Sequence, residues 1–187
     1  MDSQRPMRAD ARRNRDRILQ TAREAFATEG LAVSLDEIAR RTGVGPGTVH
    51  RHFPAKEALV EAVLADRLGG LAEQARQAVQ ADRGGSAFFP FLLGLIGEAR
   101  AKQDLADALA RAEVDLSELT RRLALELRRA FAELLARAQE AGAVRADVDA
   151  EDVQAVVLAA ITAERHRADP ERPGRIAAVV LDCLLVA

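Results

Sequence analysis

The chain has 187 residues, room for one large domain or for a small module joined to a larger one. Its 49% hydrophobic and 30% charged residues fit a folded soluble protein, and the absence of Tyr and Trp favours helix over sheet. A formal charge of −2 argues against indiscriminate coating of nucleic acid, and the polar, arginine-rich first seventeen residues do not read as a signal peptide.

In chain order, residues 1–10 read as a flexible basic arm, followed by a helix over 11–29. Ile18, Leu19, Ala22, Ala25 and Phe26 fall on one face of that helix, and Gly30 stops it. Ser34 and Glu37 have the spacing of a capping box, in which the hydroxyl caps the helix and the carboxylate reaches back to the cap's N–H. The helix they open ends at Gly43. A third begins at Gly45-Pro46 and must stop before Pro54. From Lys56 a long helix reaches about Asp82, with Gly69-Gly70 predicting a bend or break.

Gly84-Gly85 reads as a loop before a strongly apolar helix over 86–102, then a short segment over 104–114. A long helix over 117–141 is entered through Asp115. Asp149 caps a helix reaching Arg165, and after a polar loop a last helix covers 174–186. The longest clearly apolar run, residues 155–161, is far short of the roughly 20 residues of a membrane span. The expectation is an all-α, cytoplasmic protein of about nine helices without a membrane segment. Cys183, the single cysteine, excludes an intrachain disulfide, and its apolar surroundings predict a core or interface thiol.

The charge is uneven. Residues 1–65 hold 11 Lys/Arg against 9 Asp/Glu, and the first seventeen carry Arg5, Arg8, Arg12, Arg13, Arg15 and Arg17 against three Asp. Either that end meets a polyanion or it is a solvated tail.

Residues 34–53 satisfy the requirements of a helix-turn-helix. Ala39 is small where two helices cross, Gly43 can take the positive φ of a tight turn, and Leu35, Ile38, Val44 and Val49 form an apolar wedge. The second helix of such a unit enters the major groove, which makes Thr48, His50, Arg51 and His52 its outward readers, with Pro46 at its start. Arg51 suits guanine O6 and N7, Thr48 a thymine methyl or phosphate, and the two histidines phosphate or base acceptors. Gly47 leaves room for close approach, and Ser34 and Lys56 each open a helix where a phosphate is favoured. Arg40 and Arg41 fit a solvated face better than the groove. His50 and His52 lie two apart on a helix and make a poor metal pair.

The segment Asn14-Arg15-Asp16-Arg17-Ile18-Leu19 through Phe26 and Gly30 resembles the first helix of TetR-family regulators. So does the run from Gly43 to Phe53, followed by Lys56-Glu57-Ala58-Leu59. The resemblance covers about residues 11–65. One departure is His50, which stands where the family usually carries a Tyr that packs on or hydrogen-bonds the DNA backbone. The resemblance implies a three-helix DNA-binding domain over 11–55 and a larger regulatory and dimerisation domain over 56–187. It further implies a homodimer on a partly palindromic double-stranded operator, released by a small molecule. The segment 142–149 is similar to the family's entry to its dimerisation helices.

Two apolar stripes fit that interface: Val153, Val156, Val157, Ala160 and Ile161, and then Ile176, Val179, Val180 and Leu184. Packing within the chain's own core is the alternative. Phe88, Phe89, Phe91, Leu92, Leu95 and Ile96 are candidates to line a pocket for a small hydrophobic or amphipathic ligand, or else form plain core. No nucleophile is paired with a base, and no metal or phosphate motif appears, so neither enzyme activity, cofactor nor metal is expected. The competing readings are a ligand-released repressor and a ligand-independent regulator or activator with no effector pocket.

Overall fold

The computed structural model describes residues 4–101, 117–166, 172 and 174–186, with side chains of 4–9, 98–101 and 165 left aside. The described residues are helical, with one isolated antiparallel bridge, Val144 to Leu185. No helix among them is long and apolar enough to cross a membrane. The chain divides into two compact units, residues 1–66 with 102–120 and residues 67–101 with 121–187.

In the first unit, α1 (Gln4–Glu29) begins well before Ala11. Pro6 does not prevent this, because N–H groups in a first turn have no intrahelical acceptor to lose. Ile18, Leu19, Ala22, Ala25 and Phe26 are buried as their spacing predicts. They pack on α2 (Leu35–Thr42), α3 (Pro46–His52) and the first turns of α4 (Lys56–Ala81). Leu59, Val60 and Val63 of α4 belong to this core, which carries the unit past residue 55.

The helix-turn-helix forms as its sequence dictates. Ser34 Oγ accepts the Glu37 N–H at 3.2 Å, and Gly43 takes φ 71° while its N–H reaches the Ala39 carbonyl at 3.0 Å. Only half of the capping box forms. The Glu37 carboxylate turns to Arg40, with bonds of 2.8 and 2.7 Å, and to Arg41 at 2.6 Å. Two guanidinium partners outcompete one neutral amide, since charge-assisted bonds are roughly twice as strong.

In the second unit α4 runs through Gly69 and Gly70 unbroken. Each glycine costs about 0.5–1 kcal/mol in a helix. Burial of Leu71, Ala72, Ala75 and Val79 at helical spacing outweighs that, and the Leu123 methyls lie 3.8 and 3.9 Å from where a Gly69 Cβ would stand.

After the loop at Gly84 and Gly85 come α5 (Phe88–Ala101) and α6 (Glu118–Glu140). The segment expected over 104–114 and Asp115 lie outside the described residues. Ser117 caps α6, its hydroxyl accepting the Thr120 N–H at 3.3 Å. Helix α7 (Ala150–His166) opens on a full reciprocal cap. Asp149 Oδ1 takes the N–H groups of Glu151 and Asp152 at 2.8 and 2.9 Å, and Asp152 Oδ2 takes the Asp149 N–H at 3.1 Å.

Helix α8 (Arg175–Leu181) is shorter than the expected 174–186. It tightens into a 3-10 turn over Asp182–Leu184, and Arg145 N–H then bonds the Leu184 carbonyl at 3.0 Å. That turn buries Leu184 and leaves Cys183 exposed, so the thiol is not a core residue. At three residues per turn, adjacent side chains diverge by a third of a revolution and only one of them faces inward.

Candidate nucleic-acid interface and ligand cleft

The short helix α3 is seated by two side chains one turn apart. Val49 is fully buried and Phe53, just past the helix end, is 2% exposed. With Val49 inward, the 100° step per residue sends Gly47 and Arg51 to the opposite face, flanked by Thr48 and His50. Pro46, Gly47, His50 and Arg51 are exposed, and Thr48 and His52 half-buried. A Cβ on Gly47 would meet nothing within 4 Å, so the surface beside Arg51 is open. Among the described residues no carboxylate engages Arg51 or Lys56, which leaves both charges available.

Ser34 caps α2 and is also exposed, so its hydroxyl can touch an anion without leaving the helix. His50 leans toward α2, with Nε2 3.5 Å from Asp36 Oδ1. Arg40 and Arg41 are engaged elsewhere. Arg41 forms ion pairs with Glu29 and Glu37, and Arg40 with Glu37. These bonds, Arg40 first and then Arg41, hold the Glu37 carboxyl down at about 2, and Arg41 lowers Glu29 as well. The network ties α2 to the end of α1.

Two contacts escape sequence reasoning because they join residues far apart in the chain. Arg17 Nη2 donates to the Thr42 carbonyl at 2.7 Å, and the Arg15 guanidinium lies over the Phe53 ring, 5.5 Å from its centroid. The basic run is visible in the sequence, but its relation to α3 is not.

In the second unit, Phe88 and Leu92 are fully buried, with Phe91 and Ile96 nearly so. Phe88 packs edge-on against Phe89 at 5.4 Å and both Phe88 and Phe91 approach Phe131. Of the six ligand candidates Ile96 lines a cleft of about 380 Å³ with Leu93, Gly97, Glu164, Gly174, Ala177 and Ala178. Phe89 and Leu95 are partly buried against the core.

Glu164, 2% exposed, is the one charged residue in that lining. Its Oε1 accepts the Ala177 N–H at 2.8 Å. Gly174 precedes α8 with φ 80° and has no side chain to cap it, so the carboxylate of α7 does so from across the cleft. A glutamate within an apolar pattern gives no sequence signal of this role.

The apolar stripes divide between the chain's own core and its surface. Val153, Val157, Ala160 and Leu184 are in the chain's own core, and Val156, Ile161 and Val180 pack partly against it. Ile176 is half-buried. Val179, 59% exposed, faces outward, as do Leu158, Leu185 and Val186. Both faces of α7 carry apolar residues, so periodicity alone could not say which one the chain keeps for itself.

A capped helix, a glycine turn and a short second helix with an open cationic face define a helix-turn-helix DNA-binding protein. Residues 18–63 match the family described as "Bacterial regulatory proteins, tetR family", and residues 83–186 match "Transcriptional regulator SbtR-like, C-terminal domain". The chain belongs to the TetR family of DNA-binding transcription regulators.

A TetR transcription regulatory protein from Mycobacterium vanbaalenii is similar over 97% of this chain and all of its own, at 43% identity and TM-score 0.68. The TetR regulator SCO0520 from Streptomyces coelicolor covers 91% of this chain and 98% of its own, at 29% identity and TM-score 0.69. The regulator TtgW of Pseudomonas putida is 43% identical over 60 residues, 32% of this chain and 45% of that protein. The chain thus matches less than half the length of that curated relative.

Proposed function

We propose that the chain is a homodimeric repressor that reads a partly palindromic operator with α3 and is released by a small apolar or amphipathic ligand. The observation that carries this reading is α3 itself. A short helix locked by Val49 and Phe53 presents Arg51 over an open Gly47, with Thr48 and His50 beside it. Arg51 is the base reader, able to donate two bonds to guanine O6 and N7. Ser34 and Lys56 contact phosphate, while Pro46, Gly47 and His52 shape the approach. His50, held 3.5 Å from Asp36, offers a ring nitrogen to the DNA backbone beside Arg51.

The cleft beneath Glu164 supports release by a ligand over a regulator with no effector site. Its alanines, glycines, Leu93 and Ile96 accept an apolar body, and the carboxylate suits a hydrogen-bond donor on that body. Self-association uses the outward apolar face of Leu158 and Val179, with Val156, Ile161 and Val180 at its margin.

The test is binding of the purified protein to the DNA upstream of its own gene, titrated against salt with random duplex as competitor. Protection of a two-fold-symmetric site that survives competitor is the expected result. Equal affinity for every duplex tried would refute the sequence-reading role.

A further inference from the structure

Several basic side chains of the first unit are paired with carboxylates. Arg13 pairs with Asp10, Arg23 with Asp66 at 2.6 Å, Arg40 with Glu37, and Arg41 with Glu29 and Glu37. Those charges have carboxylate partners within the unit. Arg12 and Arg15, both exposed, have no carboxylate partner among the described residues. They are three apart on α1 and therefore share a face of that helix.

That face is fixed beside the recognition helix. Arg17 donates to the Thr42 carbonyl just before the turn, 4.0 Å from where a Gly43 Cβ would stand. Arg15 lies over Phe53, the residue that closes α3. These two contacts pin α1 to residues on both sides of α3. A contact with the ring takes up none of the Arg15 N–H groups as hydrogen-bond donors, so they remain available to a phosphate. A cation held in one orientation loses less freedom on meeting a phosphate than one on a loose chain.

We infer that Arg12 and Arg15 of α1 form a second phosphate-binding surface, gripping the DNA backbone beside the groove that α3 enters, with Arg17 as the positioning residue. The inference rests on the DNA-reading role proposed for α3. It assigns to α1 a share of the affinity that carries no sequence preference, because phosphates are the same at every site.

The experiment uses the full chain and two duplexes, the protected upstream fragment and a random sequence of equal length. Affinities are measured by fluorescence anisotropy between ~50 and ~200 mM salt, where each neutralised phosphate adds about 0.9 to the log–log slope. Over that fourfold range, removing one phosphate-binding arginine per protomer takes two from the dimer and should reduce the salt-induced fall in affinity by a factor of about 12. Arg12→Gln and Arg15→Gln should each flatten the slope accordingly on both duplexes, and Arg15→Lys should retain most of it.

A wild-type slope in both glutamine variants would overturn the inference. So would an Arg15→Gln variant that melts earlier yet keeps the wild-type slope, since Arg15 would then only buttress Phe53. Weakening confined to the upstream fragment would also overturn it, by making these residues base readers. Failure of the wild-type chain to bind any duplex would instead bring down the reading on which the inference rests, and the inference with it.

Discussion

Gly85 offers the sharpest test of how the second unit is built. It has φ 77°, and a Cβ there would stand 2.7 Å from Ala138 Cα and 3.0 Å from both the Ala141 Cβ and the Arg137 carbonyl oxygen. Its N–H also bonds Asp82 Oδ2 at 3.1 Å. Alanine in the left-handed region costs about 1–2 kcal/mol. The obstruction is mostly helix backbone, which cannot rotate aside as a side chain would, so overpacking adds about 1–3 kcal/mol. Gly85→Ala should therefore lose about 2–5 kcal/mol, a large part of the roughly 5–15 kcal/mol that holds a typical protein folded.

Its neighbour is the control. Gly84 has φ 64° but nothing within 4 Å of a Cβ, so Gly84→Ala should lose only the conformational share, about 1–2 kcal/mol. Urea unfolding followed by far-UV circular dichroism compares the two, and the denaturant slope should stay unchanged. Equal losses would refute the reasoning, because they would mean that α6 yields freely to the added methyl.

Three further outcomes follow from the site. Arg51→Ala should cost about 1–3 kcal/mol on the operator and relax sequence preference, whereas Lys56→Ala should weaken operator and random DNA alike. Competition titrations with both duplexes check this, and equal losses in the two variants would dissolve the division between reading and anchoring. Glu37→Gln should destabilise the chain at neutral pH. The Glu37 carboxyl is lowered from 4.5 to about 2 in the folded protein. The unfolded chain therefore takes up that proton first, and the stabilisation is complete above about pH 5 and fades as pH falls from 4.5 toward 2. Urea midpoints of the two proteins should converge over that window, and a constant gap would show that the carboxylate's charge is irrelevant. Leu158→Glu with Val179→Glu should yield a folded monomer in sedimentation experiments, since both side chains are more than half exposed and burying two charges per protomer in an interface is costly. A dimer of unchanged strength would place the interface elsewhere.

The features legible along the chain are local. Ser34, Gly43 and Gly45-Pro46 act within a few residues of themselves, through a hydroxyl, a positive φ and a helix start, so the helix-turn-helix could be read directly. The same holds for Asp149, whose carboxylate caps the helix within one turn. The stripe from Ile18 to Phe26 was legible because only one face of that segment is apolar.

Other features depend on partners distant in the chain and were settled by packing. Glu37 had two acceptable arrangements, and Arg41 with Glu29 beyond it decided against the reciprocal cap. Helix α7 has two apolar faces of similar quality, and only packing against α5 and α8 assigns one inward and leaves Leu158 outside. Phe88, Phe91 and Leu92 could line a hollow or form core, and only the tertiary structure brings Phe131 against the two phenylalanines. Arg15 over Phe53 and Glu164 beneath α8 have no spacing rule at all. Short-range bonds and helical periodicity are written along the chain, whereas the side on which a face is buried is set by whichever distant surface covers it.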